Sequence, residues 1–498
     1  MTSLPRTRRW TAAALPMALF AALATGCAST HGLAPSGAPA DADALSARLT
    51  LGDAVSDQAT FPRQDWWTAL GDPQLDALIN EALRGTPSLD VADARMRQAQ
   101  AQAGLADAAR KPSLSASAQY AGLRIPETLA PEPLGGDYTG VGIVGLNFKH
   151  SFDLWGGHRA KWEAAIGQAR AAEVDAQAAR LTLSAQIGSA YVGLAQAFDA
   201  QDVAKAEQAR AQHLLALGKQ RVAAGLDNQT QVRVAESAIA TARQQEEAAS
   251  HQIETQRHAL AALLGQGPDR GLSIARPTLL KTPAPAVPAL MSSELLGHRP
   301  DVVAARWRVD AAQHGIKASK AEFYPTINLS AMVGLAAGNL GDLFSSNALL
   351  LQGGPAISLP IFDGGRLRSQ LARSDADYDL AVAQYNGSLS TALREVADAV
   401  ASARSLDAQI ADVTVARDAA QQAWTLAGTR YRAGLGTQLD VLAAQRPLLQ
   451  ADQQLAALRA QRALAAIELN RALGGGLPLT APASATDATA SASTTSAP

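Results

Sequence analysis

The one thiol in the chain, Cys27, is the side chain with the most chemistry open to it. It follows Ala24-Thr25-Gly26, and upstream lie Arg6, Arg8, Arg9 and an apolar run from Thr11 to Leu23. A charged start, a short apolar core and small residues before a cut describe a secretory signal peptide, predicted over residues 1–26. The run falls short of the about 20 residues that a membrane helix needs. Other groupings offer less. Gly140-Val141-Gly142-Ile143-Val144-Gly145 spells a dinucleotide-binding pattern, but that pattern must open a helix, and here it runs into an alternating segment ending at Phe152. The eight histidines are scattered, and His251 and His258 lie two helical turns apart without metal-type partners at ligand spacing. No nucleophile–base constellation can be read. The expectation is a protein that is not an enzyme and holds no metal.

The small residues before Cys27 resemble the lipobox of bacterial lipoproteins, in which the cysteine becomes the lipidated first residue. That resemblance implies N-terminal acyl and diacylglycerol groups on Cys27, palmitate among them, and no other cofactor. Ala28, where an acidic residue would retain the protein elsewhere, implies the outer membrane of a Gram-negative envelope. Composition bounds the rest. The 498 residues carry a net charge of −2, which argues against nucleic acid as a partner. Aromatic residues make up 4%, too few for a wide core built on large side chains. Ala, Gln, Arg, Leu and Glu fill most of the chain, and all favour helix.

The chain is written twice. Gly225-Leu226 returns as Gly434-Leu435, and Leu264-Gly265 as Leu473-Gly474, each 209 positions on. Lys111-Pro112-Ser113-Leu114 matches Tyr324-Pro325-Thr326-Ile327, and Phe152-Asp153…Gly156-Gly157 matches Phe362-Asp363-Gly364-Gly365. Four matches in register mark an internal duplication of a long unit. The boundaries predicted are a linker over 27–64, a first repeat over 65–267, a Pro-rich linker over 268–299 lying outside the helical wall, a second repeat over 300–476, and a disordered tail over 477–498.

Each repeat has one plan: helix, strand, strand, long helix, returning helix. Period-two alternation predicts strands over about 113–122, 140–152, 326–335 and 353–362. From Gly157 to Ala223, and from Gly365 to Ala433, there is no proline. Roughly 65 helical residues at 1.5 Å each give a rod of about 100 Å, with small apolar seam residues suited to helical packing. Each rod ends at a glycine cap and a polar tip, Gly225 with Asp227 and Gly434 with Gly436, before a helix of about 36 residues runs back. The helix before the strands and the returning helix together nearly match the rod, so two short helices are expected end to end beside one long one. Pro447 sits about ten residues into the second returning helix, where Ala238 stands in the first; it predicts a kink in one hairpin only. Four strands cannot close a membrane barrel, which begins at 8, and open edges are not tolerated in lipid. Copies must pool their strands: two would make 8 strands and a filled interior, while three would make a 12-strand barrel with room for a lumen, and twelve helical columns.

Two inexact copies of this plan resemble the outer membrane factors, the TolC-like exit ducts of efflux pumps. The lipobox and local motifs are similar to the lipoprotein (NodT/OprM-like) branch. Those motifs are Trp66-Trp67 with Asp72-Pro73-Gln74-Leu75, Phe152-Asp153-Leu154-Trp155-Gly156, Arg299-Pro300-Asp301, Tyr324-Pro325, Phe362-Asp363-Gly364-Gly365-Arg366-Leu367 and Ala472-Leu473-Gly474-Gly475-Gly476. The resemblance implies a mostly α fold with a small transmembrane β-barrel: a homotrimer whose 12-strand barrel continues into a 12-helix periplasmic tunnel. It implies an outer-membrane, lipid-anchored protein reaching into the periplasm and passing small molecules or drugs without altering them. Implied partners are a periplasmic adaptor (membrane fusion) protein and an inner-membrane pump of the resistance–nodulation–division type. It also implies a gate past the turn Tyr431-Arg432-Ala433-Gly434, on Leu439, Asp440, Ala443 and Arg446. Relatives often carry Asp at one or both of the positions held by Asp440 and Ala443, so a doubled acidic ring is not expected. Three copies of Asp440 around a pore would favour cations, although Asp440 also suits an ordinary first helical turn. Two other readings share these features: a duct for type I protein secretion, and a structural periplasmic coiled-coil lipoprotein.

Overall fold

In the computed structural model, residues 30, 32–40, 63–124, 126, 128, 138–281, 284–285, 298–339 and 341–476 are described. The predicted signal peptide, Cys27, most of the 27–64 linker, the middle of the 268–299 linker and the 477–498 tail lie outside these residues. The helices are α1 (Pro73–Leu83), α2 (Pro87–Ala108), α3 (Gly157–Ala223), α4 (Gln229–Leu263), α5 (Pro300–Ala321), α6 (Arg366–Arg432) and α7 (Gln438–Ala472). Strands β1 (Ser113–Arg124) and β2 (Tyr138–Phe152) separate α2 from α3. Strands β3 (Thr326–Ala337) and β4 (Leu349–Ser358) separate α5 from α6. The duplication is carried into the element bounds: α6 and α7 begin and end 209 positions after α3 and α4.

Helix ends follow their local chemistry. Asp72 caps α1, its carboxylate accepting from the N–H of Gln74 at 3.1 Å, with Pro73 in the first turn where its missing N–H costs nothing. Asn228 caps α4 and Thr437 caps α7. Both rods end in the same way: Gly225 (φ 71°) and Gly434 (φ 75°) take the left-handed conformation. Leu226 and Leu435 then donate their N–H to the carbonyls of Arg221 and Arg430 at 2.8 and 2.9 Å, closing a Schellman turn that favours glycine at its bend.

The chain divides into two compact units, and α2, α3, α5 and α6 contribute to both. One unit comprises residues 96–172 and 305–385 with the N-terminal segment. It holds an antiparallel sheet of order β1-β2-β3-β4. Below the sheet the helices approach on small residues: a Cβ on Gly167 would come within 2.9 Å of the Ala311 Cβ, so only glycine permits that crossing of α3 and α5. Here too Ser36 and Gly37 donate their backbone N–H groups to the Asp379 carboxylate of α6 at 2.9 and 2.7 Å.

β4 corrects the sequence reading. It spans 349–358 and not 353–362, so Leu359 and Ile361 are not strand residues. Pro360 has no N–H for the ladder, and β3 begins only at Thr326, whose partner is Ser358. The other three strands match or overrun their expected outer ends, reaching Arg124, Tyr138 and Ala337.

The second unit, residues 40–95, 173–304 and 386–476 among those described, holds the apolar core. Trp66, Leu75, Ile79, Ile187, Tyr191, Leu194, Leu260 and Ile467 form its buried centre. The short helices meet end to end here. A Cβ on Gly265, just past α4, would strike Pro87 at the start of α2, and one on Gly474, past α7, would strike the His298 carbonyl before α5. The 268–299 segment is the second correction. Ile274, Leu279 and Leu280 are buried in the core, and Thr278 donates both N–H and hydroxyl to Asp72. Over the described residues 268–281, Pro268 and Pro277 punctuate a packed segment and not a linker outside the wall.

Candidate functional site

The sheet sorts its residues by face. Strand alternation and the observed register place Leu114, Ala116, Ala118 and Tyr120 of β1 opposite Phe148, Leu146, Val144 and Gly142 of β2. The same face continues through Ile327, Leu329, Ala331, Val333 and Leu335 of β3. It ends on Ile357, Pro355, Gly353, Leu351 and Leu349 of β4. Apart from His150, packed edge-on against Phe152 at 4.9 Å, this face is apolar; Leu114, Tyr120, Leu146, Val333, Leu349, Leu351 and Ile357 are exposed, and Phe148, Ile327, Leu329 and Leu335 are half-buried. The opposite face carries Ser113, Ser115, Ser117, Gln119, Asn147, Lys149, Asn328, Ser330 and Gln352, interrupted by Val141, Ile143, Met332 and Leu350. Asn147 donates to Ser117 across that face at 2.8 Å. Apolar outward and polar inward is the pattern of a barrel wall in lipid.

Aromatic residues bracket the apolar face. Tyr120 and Tyr138 lie at one end, each covering a glycine of the neighbouring strand, Gly140 and Gly122. At the other end are Phe152, Trp155 and Tyr324; the last two rings stack at 4.8 Å, and the Trp155 indole donates to the Pro325 carbonyl at 2.8 Å. Ten residues of β2 separate the level of Tyr120 from Phe152. At about 3.3 Å each and a tilt of about 40°, that is a band about 25 Å tall, the height of a barrel's lipid belt. Among the described residues β1 and β4 each pair on one side only, so the sheet ends there in two open edges. No helix among the described residues is long and apolar enough to cross a membrane.

The hairpin ends, in the second unit, form a separate candidate site. Asp227 accepts from the Asn228 N–H at 2.9 Å and from Arg221 at 3.1 Å, and these bonds hold its carboxyl below the usual range. Asp440 is the third residue of a capping box: its carboxylate accepts from the N–H and hydroxyl of Thr437, both at 2.8 Å. The backbone bond, then the hydroxyl, hold its pKa below the ordinary value. Asp440 therefore stays ionised at neutral pH while tied into its own cap. Gly436 stands beside that carboxylate. Leu226 and Leu435 at the tips, Leu439 and Tyr431 are exposed.

Leu439 and Arg446 meet Asp227 around one cavity of about 600 Å³, lined also by Glu207, Arg210 and Arg221. Ala443 is not among its lining residues. Sequence reasoning found the two tips and missed Glu207 and Arg210. A comparison of the repeats would have flagged both, since Ala416 and Ala419 occupy the matching positions. α7 runs unbroken through Pro447.

Cys27 lies outside the described residues. The glycine pattern at 140–145 lies within β2 and opens no helix. Among the described residues no group of three or more His, Cys, Asp or Glu is placed to hold a metal.

Known proteins resemble this chain along most of its length. The model of the outer membrane efflux protein family matches residues 78–266 and 291–475. The fusaric acid resistance protein FusA of Burkholderia cepacia is 38% identical over 369 residues, 73% of this chain and 69% of that protein. The pyoverdine export outer membrane protein OpmQ of Pseudomonas aeruginosa is 32% identical over 83% of this chain and 87% of its own. The solved structure of the outer membrane protein VceC of Vibrio cholerae superposes with a TM-score of 0.76 at 38% identity, covering 84% of this chain and 100% of that one. The chain belongs to the outer membrane efflux protein family.

Proposed function

We propose that this protein is the outer-membrane exit channel of a tripartite efflux pump, a passive conduit for small molecules or drugs. The observation that carries the reading is the four-stranded sheet with one apolar face and two unpaired edges. A sheet of that kind is unstable in lipid unless copies complete it, and three copies give a 12-strand barrel with room for a lumen. The polar face, with Ser117, Asn147 and Ser330, then lines the passage. Relatives named for multidrug resistance, fusaric acid resistance and pyoverdine export support the transport class. Acyl and diacylglycerol groups on Cys27 would tie the protein to the membrane as well. A periplasmic adaptor and an inner-membrane pump of the resistance–nodulation–division type would engage the end that carries Leu226 and Leu435. Nothing in the site performs bond chemistry in this reading; the substrate passes unchanged.

The test has two arms. The protein, extracted from outer membranes in detergent, is expected to migrate as a heat-dissociable trimer, and a stable monomer would overturn the conduit. Deleting its gene should raise sensitivity to a panel of toxic compounds, restored by the intact gene in trans. Unchanged sensitivity across the panel refutes the drug-export assignment.

A further inference from the structure

The four strands carry no aspartate or glutamate. Their full charges are two cations, Arg124 at the end of β1 and Lys149 in β2. The chain as a whole has a net charge of −2, so the sheet is more positive than the protein it belongs to. The two cations lie on different faces. Alternation puts Arg124 on the face of Leu114 and Tyr120, one turn of the pleat beyond the tyrosine, and Lys149 on the face of Asn147. Lys149 is thus the one full charge that the strands present on their polar face.

Its surroundings there are neutral. The register sets Lys149 between Ser113 of β1 and Ser330 of β3, with Asn147 and Ser151 next along its own strand. The side chain is exposed and, among the described residues, makes no ion pair or hydrogen bond. The lysines just outside the sheet differ: Lys111 pairs with Asp107 at 2.6 Å and Lys161 with Glu322 at 2.8 Å. The carboxylate that follows β2, Asp153, accepts instead from the N–H groups of His158 and Arg159 at the start of α3. Lys149 also stands inside the aromatic band and not at its rim. It precedes Phe152 by three residues, about 8 Å at about 3.3 Å each and a tilt of about 40°. An unpaired charge at that depth is tolerated only where it faces water.

We infer that Lys149 is a charge-selecting residue: its copies form a cationic ring inside the barrel that favours small organic anions, carboxylates among them, over cations. The inference rests on the conduit reading, in which three copies close the sheet and the polar face lines the passage. Twelve strands about 4.8 Å apart, tilted by about 40°, give a backbone radius of about 12 Å. The lysine stems shorten that distance, so a solute on the axis passes within about one Debye length of the ring at 0.1 M salt, about 10 Å. Lipid behind the wall focuses the field into the lumen. Three charges at that range raise the local ratio of anions to cations on the order of fivefold. The hydroxyls and amides of the same face bond solutes of either sign, so discrimination by charge falls to the ring.

Reversal potentials across planar bilayers holding the purified full-length protein, under a potassium chloride gradient at low salt, test this. Lys149→Gln keeps the length of the side chain and removes the charge. It should lower the chloride-to-potassium permeability ratio on the order of fivefold, and Lys149→Glu should lower it further. Asp440 is common to every variant, so the differences between them report Lys149 alone. Near 1 M salt, where the Debye length is about 3 Å, the differences should vanish. Where Lys149→Glu does not assemble, the neutral Lys149→Gln carries the test. An unchanged ratio in Lys149→Gln at low salt, or a drop that persists near 1 M, overturns the ring and leaves the conduit standing. Absence of current from every variant and from the unsubstituted chain overturns the conduit and the ring with it.

Discussion

Arg299 is the side chain whose removal should cost this fold most. It is 3% exposed. It donates Nε and Nη2 to Asp301 at 3.0 and 2.7 Å, Nη2 also to Glu395 at 2.9 Å, and Nη1 to the Ala472 carbonyl at 3.1 Å. It thereby joins the start of α5 to the end of α7 and to the middle of α6. Burial alone would lower its pKa; Asp301 and Glu395 outweigh that and raise it, so the guanidinium is charged at every accessible pH. Arg299→Met keeps the stem and deletes the charge. Stripping one partner from a buried network costs about 3–5 kcal/mol. The lower end applies here: Asp301 is half exposed and can be solvated, and Glu395 keeps Arg471 at 2.9 Å. About 3 kcal/mol corresponds to a midpoint drop on the order of 3–6 °C, read from the helical circular dichroism of the detergent-solubilised protein. Adding Glu395→Gln should recover part of it, with a coupling of about 1–3 kcal/mol in the double-mutant cycle. A loss of less than about 0.5 kcal/mol, or strict additivity, would refute the network account.

Asp375 is buried, and neither carboxylate oxygen has a hydrogen-bond partner among the described residues; burial pushes its pKa up. Asp375→Asn should therefore stabilise by about 1–2 kcal/mol at neutral pH, a gain that fades as pH falls through the raised native value, and a thermal scan against pH reads both. Asp72, Asp301 and Glu468 behave oppositely. Burial opposes ionisation of the first two but their bonds prevail, while Arg471 holds Glu468, and all three pKa values end lowered. Their contribution is complete above the ordinary carboxylate range and is lost as pH falls through the depressed values, so acid unfolding should begin below about pH 4. On the sheet, Val333→Arg on the apolar face should cost about 2–4 kcal/mol and deplete the proposed heat-dissociable trimer, whereas Ser330→Arg on the polar face should leave it intact. Gly434→Ala forces a side chain to φ 75° and should loosen the tip by about 1–2 kcal/mol, seen as faster amide exchange at Leu435.

Local signals in this chain are unusually complete, because helix ends and repeats are encoded in neighbouring residues. Gly225 and Gly434 announce their turns, the absence of proline announces the rods, and Ser113–Tyr120 announces its strand by alternation. The errors came where a local signal was misleading. Leu359 and Ile361 continue an alternation that Pro360 cannot sustain in a ladder. The prolines of 268–299 read as a linker, although Ile274, Leu279 and Leu280 between them are buried. The polar contacts inside the second unit were out of reach for another reason. Arg210 bonds across 232 residues and Arg299 across 173, and no periodicity reports a partner at that distance. Asp440 has two readings in the sequence, a pore residue by family resemblance and a helix cap, and the cap is the role its bonds display.

The differences between the repeats carry the argument further than their likeness. Thr86 and Ser88 share a hydroxyl bond where the second repeat has the Arg299–Asp301 ion pair. Phe198 and Ile253 pack in the apolar core where the second has Asp407 and Arg462, an ion pair that also reaches the Pro285 carbonyl at 2.9 Å. Ala259 and Ala262 stand where it has Glu468 and Arg471. Bulk would have served packing equally well, since buried ion pairs seldom surpass apolar groups of the same volume in stability. What charge adds is a fixed register. The second returning helix thus carries its register-setting pairs between Asp452 and Arg471, and its one proline lies before them. A helix pinned at one end and weakened just ahead of the pins can bend at a single place. Replacing Asp407 and Arg462 together by Phe and Ile, as in the first repeat, should therefore preserve stability to within about 1 kcal/mol. It should nonetheless broaden the distribution of open currents, because a bend at Pro447 would lose its fixed base. A current distribution as narrow as that of the unsubstituted chain would show that register is set elsewhere.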